Sequence, residues 1–206
     1  TIGYKKSTIN FQDLLSQNLS SSGVNPMQVG LGSTTSAINV VHTSGSFMTT
    51  GVGTDLAISG DGFFVVQNPE EDGTPNDRYL TRAGNFVVNA EGNLVTSQGY
   101  NVLDNNGDKI NINSTTYDSF SINRLGEVMG KQVNGTETKI ADIGIAQPAN
   151  PAGLRKFGGS LYELTTKSGP GAIGTATTKN TEIGSGMLEM SNVDLTEEFT
   201  EMIIAQ

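Results

Sequence analysis

The sequence contains neither cysteine nor tryptophan, and its single histidine is His42. Without cysteine the chain can form no disulfide, no thiolate metal site and no cysteine nucleophile. A lone histidine cannot hold zinc without other strong ligands, and no nucleophile-elbow motif accompanies it for a serine triad. His42 is therefore interpreted as a surface residue of a strand.

Long apolar runs and positive charge are also scarce. No stretch of about 18 apolar residues occurs, so the sequence predicts no membrane-spanning helix, and no signal peptide is visible. The chain has 12 Lys and Arg against 21 Asp and Glu, which gives a net charge of −9. Nucleic acid and anionic membrane surfaces repel such a body, so we expect neither as a partner.

Motifs for cofactors and catalysis are incomplete. Residues 51–53 (GVG) would need a glycine at position 56 to continue a dinucleotide fingerprint, but Leu56 is there. Residues 104–108 (DNNGD) resemble part of a calcium loop, yet the glycine comes too early and no acid closes the loop, which favours a surface turn. The acids of residues 70–77 lack aromatic platforms for sugar hydrolysis. We expect no cofactor, no metal and no enzymatic activity.

Abundant glycine and short apolar stretches indicate a β protein. The chain has 26 Gly and only 6 Pro. Residues 63–66 (FFVV) and 78–81 (RYLT) are predicted as strands. Asn-x-x-Gly turns at Asn89 and Asn123 predict two similar hairpins, with a looser copy at residues 104–107. The predicted fold is mainly β, an antiparallel meander and hairpin domain with short helical or extended terminal segments.

The chain divides into three parts by composition. Residues 1–28 are predicted as an N-terminal connector, residues 29–186 as a β-rich domain, and residues 187–206 as the start of a C-terminal helix. Residues 140–145 are predicted as the last clear strand. Residues 167–186 contain many glycines and almost no large apolar residue, so we expect an exposed, mobile loop there.

An apolar stripe marks the predicted C-terminal helix. Asp194 can cap this helix, and a glutamate three residues later can complete a capping box. The stripe follows helical spacing and consists of Leu195, Phe199, Met202 and Ile203. It is still running at Gln206, and Thr1 is not a start methionine, so we expect an excised middle piece of a longer protein. The stripe either docks on the domain's own core or pairs with absent helical segments.

Several strings resemble bacterial flagellar rod and hook proteins. They are residues 56–64 (LAISGDGFF), 79–86 (YLTRAGNF), 150–154 (NPAGL), 159–162 (GSLY) and 188–195 (LEMSNVDL). The resemblance covers nearly the whole chain in order. Residues 192–200 look most like the short hook proteins of Gram-positive bacteria, which favours the hook. No large domain is inserted after about residue 104, and because this compactness also occurs in the distal rod, the distal rod stays open as the alternative.

The resemblance implies a structural subunit that assembles into a curved helical tube and transmits torque. Missing terminal helices would form the inner tube and drive homopolymerisation through Leu195, Phe199, Met202 and Ile203, while the β domain would form the outer layer. Flagellar rod and hook–filament junction proteins would be neighbours. Export through the flagellar channel would need no cleaved signal and would place the subunit in the extracellular flagellum. The chain alone is expected to be monomeric. A glycan-binding module and a hydrolase are the competing classes.

Overall fold

A computed structural model describes residues 45–69 and 77–190. This part of the chain is built from strands and a single 3₁₀ turn at Pro151–Gly153. The strands are β1 (Phe47–Thr49), β2 (Leu56–Ser59), β3 (Phe63–Gln67), β4 (Arg78–Thr81), β5 (Val87–Val88), β6 (Leu94–Val95), β7 (Asn101–Val102), β8 (Ser119–Ile122), β9 (Glu127–Lys131), β10 (Glu137–Asp142), β11 (Ile145–Ala146), β12 (Arg155–Gly158), β13 (Leu161–Glu163), β14 (Ile173–Gly174), β15 (Glu182–Ser185) and β16 (Met187–Glu189).

All strand pairs in the described residues are antiparallel, which confirms the predicted mainly β class. The largest sheet has nine strands: β12, β13, β4, β3, β7, β6 and β5 follow one another, β11 also pairs with β3, and β14 pairs with β11. Strands β8, β9 and β10 form an antiparallel meander, and two ribbons join β1 to β16 and β2 to β15. Within the described ranges, no helix is long and apolar enough to cross a membrane.

Strand β3 lies at the centre of the body and is buried on both faces. Phe64 and Val66 belong to the main apolar core, whereas Phe63 and Val65 belong to a second, smaller core on the opposite face. Side chains alternate between the faces of a strand, so a strand with two covered faces needs a continuous apolar run. The run of residues 63–66 is therefore the sequence signature of this central position.

The predicted asparagine turns are confirmed. Asn89 Oδ1 accepts hydrogen bonds from the backbone N–H groups of Glu91 and Asn93. Asn123 Oδ1 accepts in the same way from Leu125 and Glu127. The asparagine side chain takes the place of a backbone acceptor and so stabilises the turn through local contacts. Because these contacts are local, such turns can be predicted from the sequence.

The expectation of a mobile loop over residues 167–186 is wrong. This segment contains β14 and β15, and Ser168, Ala176 and Ile183 are buried. Ile183 pairs with Ile58 in the β15–β2 ribbon. The segment is ordered by a few small buried side chains and by pairing with a distant strand, so its high glycine content reflects turns and close packing.

Two predicted boundaries also differ from the structure. The predicted last strand at residues 140–145 is split between β10 and β11, and five further strands follow. Met187–Glu189, expected to begin the C-terminal helix, is strand β16. Here pairing with β1, far away in the sequence, decides the conformation, because tertiary contacts override local propensity in short segments.

Candidate assembly site

The predicted assembly residues Leu195, Phe199, Met202 and Ile203 lie outside the described residues, as does His42. The described residues do show the place where both terminal parts of the chain join the β body. The β1–β16 ribbon pairs Phe47 with Glu189, and Met190 donates its backbone N–H to the Ser46 carbonyl at 2.8 Å. The chain thus enters and leaves the described body at neighbouring positions.

The ribbon has two distinct ends. At its inner end, Thr50 N–H donates to the Gly186 carbonyl and Gly186 N–H donates to the Asp55 carbonyl, at 2.7 and 2.8 Å. At its outer end, which continues toward residues 44 and 191, Gly45 N–H donates to Glu189 Oε2 at 3.4 Å. The outer end is therefore attached through a side chain, whereas the inner end is attached through the backbone.

Glu189 forms a buried ion pair with Arg82. The side chain of Glu189 is 0% exposed and that of Arg82 is 4% exposed, and Arg82 Nη2 lies 2.7 Å from Glu189 Oε1. Arg82 Nε also donates to Glu189 Oε1 at 3.0 Å. Arg82 Nη1 donates to the Gly60 and Gly62 carbonyls at 2.9 and 2.8 Å, and Nη2 donates to the Ile58 carbonyl at 3.1 Å. The pair therefore links the ribbon to the β2–β3 turn.

Two glycines give that turn the shape the arginine needs. Gly60 and Gly62 have φ values of 123° and 131°, a region that other L-residues rarely adopt. The turn directs both carbonyl groups at Arg82 Nη1. The Gly-Asp-Gly pattern of residues 60–62 is typical of a tight turn, but the pattern does not show that the turn binds an arginine side chain.

The string that resembles part of a calcium loop, residues 104–108, is a surface turn in the structure. Asp104 Oδ1 accepts from the backbone N–H groups of Asn106 and Asp108, so this carboxylate holds a turn together, as predicted for residues 104–108. Within residues 45–69 and 77–190, no group of three or more His, Cys, Asp or Glu side chains is placed to hold a metal ion.

An open groove of about 690 Å³ is lined by Glu91, Asn93, Asp108, Lys109 and Asn111. Asn111 Nδ2 donates to the Glu91 carbonyl and to Asn93 Oδ1, both at 2.9 Å. The asparagine amide thus braces two neighbouring segments.

Among residues 45–69 and 77–190, two side chains have a pKa raised above its ordinary value, and both make local structural contacts. Burial, with a smaller effect from Asp77, raises the pKa of Tyr79 above its ordinary value. The Tyr79 ring stacks on Phe157 with ring centroids 4.4 Å apart. The hydrogen bond to Asp142 raises the pKa of exposed Lys139, because it favours the charged ammonium.

Exposed apolar side chains are distributed singly over several strands and turns. They are Met48, Val52, Val87, Leu125, Val133, Phe157 and Leu164. Val133, at the tip of the β9–β10 hairpin, is 85% exposed. Single exposed apolar residues are normal on a protein surface, so they do not by themselves define a contact face.

Comparison with known proteins gives two family matches. The model described as the flagellar hook protein FlgE/F/G D1 domain matches residues 57–130. The model described as the flagellar basal body rod FlgEFG protein C-terminal region matches residues 185–206. Arg82 lies in the first matched region and Glu189 in the second, so the buried ion pair connects the two.

Individual relatives carry rod and hook names. The flagellar basal-body rod protein FlgG of Bacillus subtilis is 42% identical, and the alignment covers 100% of this chain and 79% of that protein. FlgG of Agrobacterium fabrum is 37% identical with the same two coverages. The flagellar hook protein FlgE of Treponema pallidum is 35% identical, over 76% of this chain and 36% of the hook protein.

Proposed function

Because this chain belongs to the flagellar rod and hook protein family, we propose that it is a structural subunit of the distal rod of the flagellar basal body. The rod proteins FlgG of two bacteria align with the whole chain, which supports the rod over the hook. The resemblance of residues 192–200 to short hook proteins favoured the hook. The rod, kept as the alternative in the sequence analysis, is the better supported assignment.

A hook subunit is the second candidate. The hook protein of Treponema pallidum aligns with 76% of this chain, so a β body of this kind is compatible with a hook subunit. The aligned part is only 36% of that hook protein, whereas the two FlgG rod proteins align with the whole of this chain over 79% of their own length. This difference in coverage ranks the hook below the rod.

One structural observation carries the proposed mechanism: both terminal parts of the chain join the β body through a single ribbon. A subunit of a tube needs its polymerising segments on one side and its rigid body on the other. Contacts between different surfaces of identical subunits do not close on themselves and give helical filaments. The β1–β16 ribbon would therefore set the angle between the inner and outer layers of such a tube.

The polymerising segments in this proposal carry the apolar stripe of Leu195, Phe199, Met202 and Ile203. Burial of such a stripe between subunits supplies association energy roughly in proportion to the apolar area removed from water. Neighbouring rod, hook and hook–filament junction proteins are the further partners. The subunit performs no catalysis, reaches the flagellum without a cleaved signal peptide, and stays monomeric when its assembly segments are incomplete.

Deleting the gene tests the proposed place in the flagellum. Electron microscopy of purified basal bodies is expected to show rods that lack their distal part and carry no hook. A complete rod without a hook would identify the hook subunit instead. Complete rods with attached hooks in the deletion strain would overturn the proposed function altogether, provided that the wild-type gene shows expression in the parent strain.

Substitution of the stripe tests the assembly role. Phe199→Ala in the full-length protein is expected to prevent or strongly impair rod assembly, because it removes a large apolar side chain from the subunit contact. The β body should retain its wild-type unfolding transition, since its described residues end at position 190. Thr200→Ala, at the adjacent position off the stripe, is the matched control. Normal assembly of the Phe199→Ala protein would contradict the assignment of the stripe.

A further inference from the structure

Arg82 uses every donor that an arginine side chain possesses. An arginine carries five N–H groups, one on Nε and two on each terminal nitrogen. Nε and Nη2 each donate to Glu189, Nη1 donates to two glycine carbonyls, and Nη2 also donates to the Ile58 carbonyl. A lysine has three donors on one atom and cannot reproduce this planar fork. The arrangement therefore specifies both the residue type and its orientation.

Besides the ion pair, the ribbon packs on the body through Leu188, and its other side chains are half-buried or exposed. Of its six residues, only Leu188 and Glu189 are buried, with 3% and 0% exposure. Met48, directly opposite Leu188, is 36% exposed, and Thr49 is exposed. The inner end is held by the backbone bond between Gly186 and Asp55. At the outer end, the Glu189 carboxylate contacts both Arg82 and the Gly45 N–H.

We infer that the Arg82–Glu189 pair is the positioning contact that fixes the outer end of the ribbon, and with it the direction in which both terminal segments leave the β body. A charge-assisted contact to a planar guanidinium restricts orientation as well as distance. Its burial protects it from salt, unlike an exposed pair. The loss of one partner leaves an uncompensated buried charge, which favours detachment of the ribbon over retention of the native contact.

Spin-label distance measurements on this chain test the contact directly. The sequence has no cysteine, so two introduced cysteines are the only labelling sites. One pair, Met48→Cys with Ser97→Cys, joins the ribbon to the body, and a second pair, Thr138→Cys with Ser97→Cys, lies within the body. In the wild-type background both pairs should give a single narrow distance.

Glu189→Gln is expected to affect only the ribbon. The Met48–Ser97 pair should lose its single narrow distance and show a broad or shifted distribution, while the Thr138–Ser97 pair keeps its own. The matched control is Glu182→Gln, which breaks the Arg124–Glu182 pair, whose side chains are 70% and 53% exposed and lie 3.2 Å apart. This control should leave both distances unchanged. A narrow, unshifted Met48–Ser97 distance in Glu189→Gln would overturn the inference.

If Glu189→Gln unfolds the whole chain, the milder variant Glu189→Asp provides the test. Glu189→Asp retains the charge but shortens the side chain by one methylene, so it cannot contact Arg82 and the Gly45 N–H in the same geometry. It should broaden the ribbon distance alone. Equal broadening of both distances by Glu189→Asp would contradict a local positioning role, as would no broadening at all.

The consequence for assembly rests on the proposed function and is measured separately. Glu189→Asp in the full-length protein should reduce the number of completed rods counted by electron microscopy, whereas Glu182→Gln should not. If the ribbon distance broadens but rods form in wild-type number, the contact is real and its role in assembly is refuted. If gene deletion leaves rods and hooks complete, the proposed function fails while the distance result stands.

Discussion

The β body and the β1–β16 ribbon are held by different physical forces. Strand β3 has apolar cores on both faces, which include Phe64 and Val66 on one side and Val65 on the other. The ribbon is held at its outer end by one buried ion pair. Apolar packing has no preferred direction, whereas a guanidinium–carboxylate contact does. Apolar packing thus supplies most of the stability of the body, whereas the ion pair restricts the orientation of the ribbon.

The largest expected effect comes from the body. Phe64→Ala removes a fully buried ring that packs edge-to-face on Phe86, with centroids 5.0 Å apart. The free energy of unfolding should fall by about 3–5 kcal/mol, measured by urea denaturation. Val133→Ala, at a position 85% exposed, should change it by less than about 0.5 kcal/mol. Equal effects of the two substitutions would contradict the assignment of the core.

A glycine contact next to the ion pair gives the second effect. A Cβ on Gly84 would collide with the Leu56 backbone, and the Gly84 carbonyl accepts the Leu56 N–H at 2.9 Å. Gly84→Ala should therefore lower the free energy of unfolding by about 2–3 kcal/mol, since overpacking forces the backbone apart. Gly53→Ala is the control, because nothing lies within 4 Å of its Cβ position. A Gly84→Ala protein as stable as the control would show that β2 tolerates displacement.

The asparagine turns of the body give a smaller effect. Asn123 caps its turn through two backbone N–H groups, whereas the exposed Asn134 accepts only from Thr136 among the bonds seen for its side chain. Asn123→Ala should cost about 1 kcal/mol, by analogy with the loss of a helix cap, and Asn134→Ala should cost less. Thermal unfolding of both variants measures the difference. The opposite order would indicate that the β9–β10 hairpin contributes more to the body than its exposure suggests.

The smallest effect is a pH dependence that arises from Tyr79. The raised pKa of Tyr79 means that the unfolded tyrosine loses its proton near its ordinary value of 10.0 while the folded one still keeps it. The folded state then binds more protons, so stability is full below pH 10 and falls as the pH rises above it. The stability difference between wild type and Tyr79→Phe, from urea denaturation, should shrink above that pH. A constant difference would refute the shift.

Local patterns predicted the body better than the ribbon. Strands β3 and β4 and the turns at Asn89 and Asn123 were predicted because their signals lie within a few residues: apolar runs for the strands, and an asparagine followed by a glycine for the turns. Segment 167–186 was misjudged as mobile because its order depends on pairing with distant β2. Propensity at each of its residues carries no information on that pairing.

The ion pair could not be predicted from local patterns, because its two residues are far apart in the sequence. Arg82 and Glu189 are 107 residues apart in the chain. One local signal was present: Glu189 lies in the apolar string Met187-Leu188-Glu189-Met190. A charged side chain that is buried among apolar residues needs an oppositely charged or hydrogen-bonding partner. The sequence pattern does not identify Arg82 as that partner. The assembly stripe stays a prediction, because it lies outside the described residues.

We propose that this chain is a rod subunit whose β1–β16 ribbon joins an inner layer of terminal segments to an outer β layer. Helical image reconstruction of native basal bodies measures this most directly. We expect density for the β body in the distal rod, with the ribbon facing the tube axis and continuous with the inner layer. A β body placed with its ribbon turned outward, or absent from the rod and hook, would contradict it.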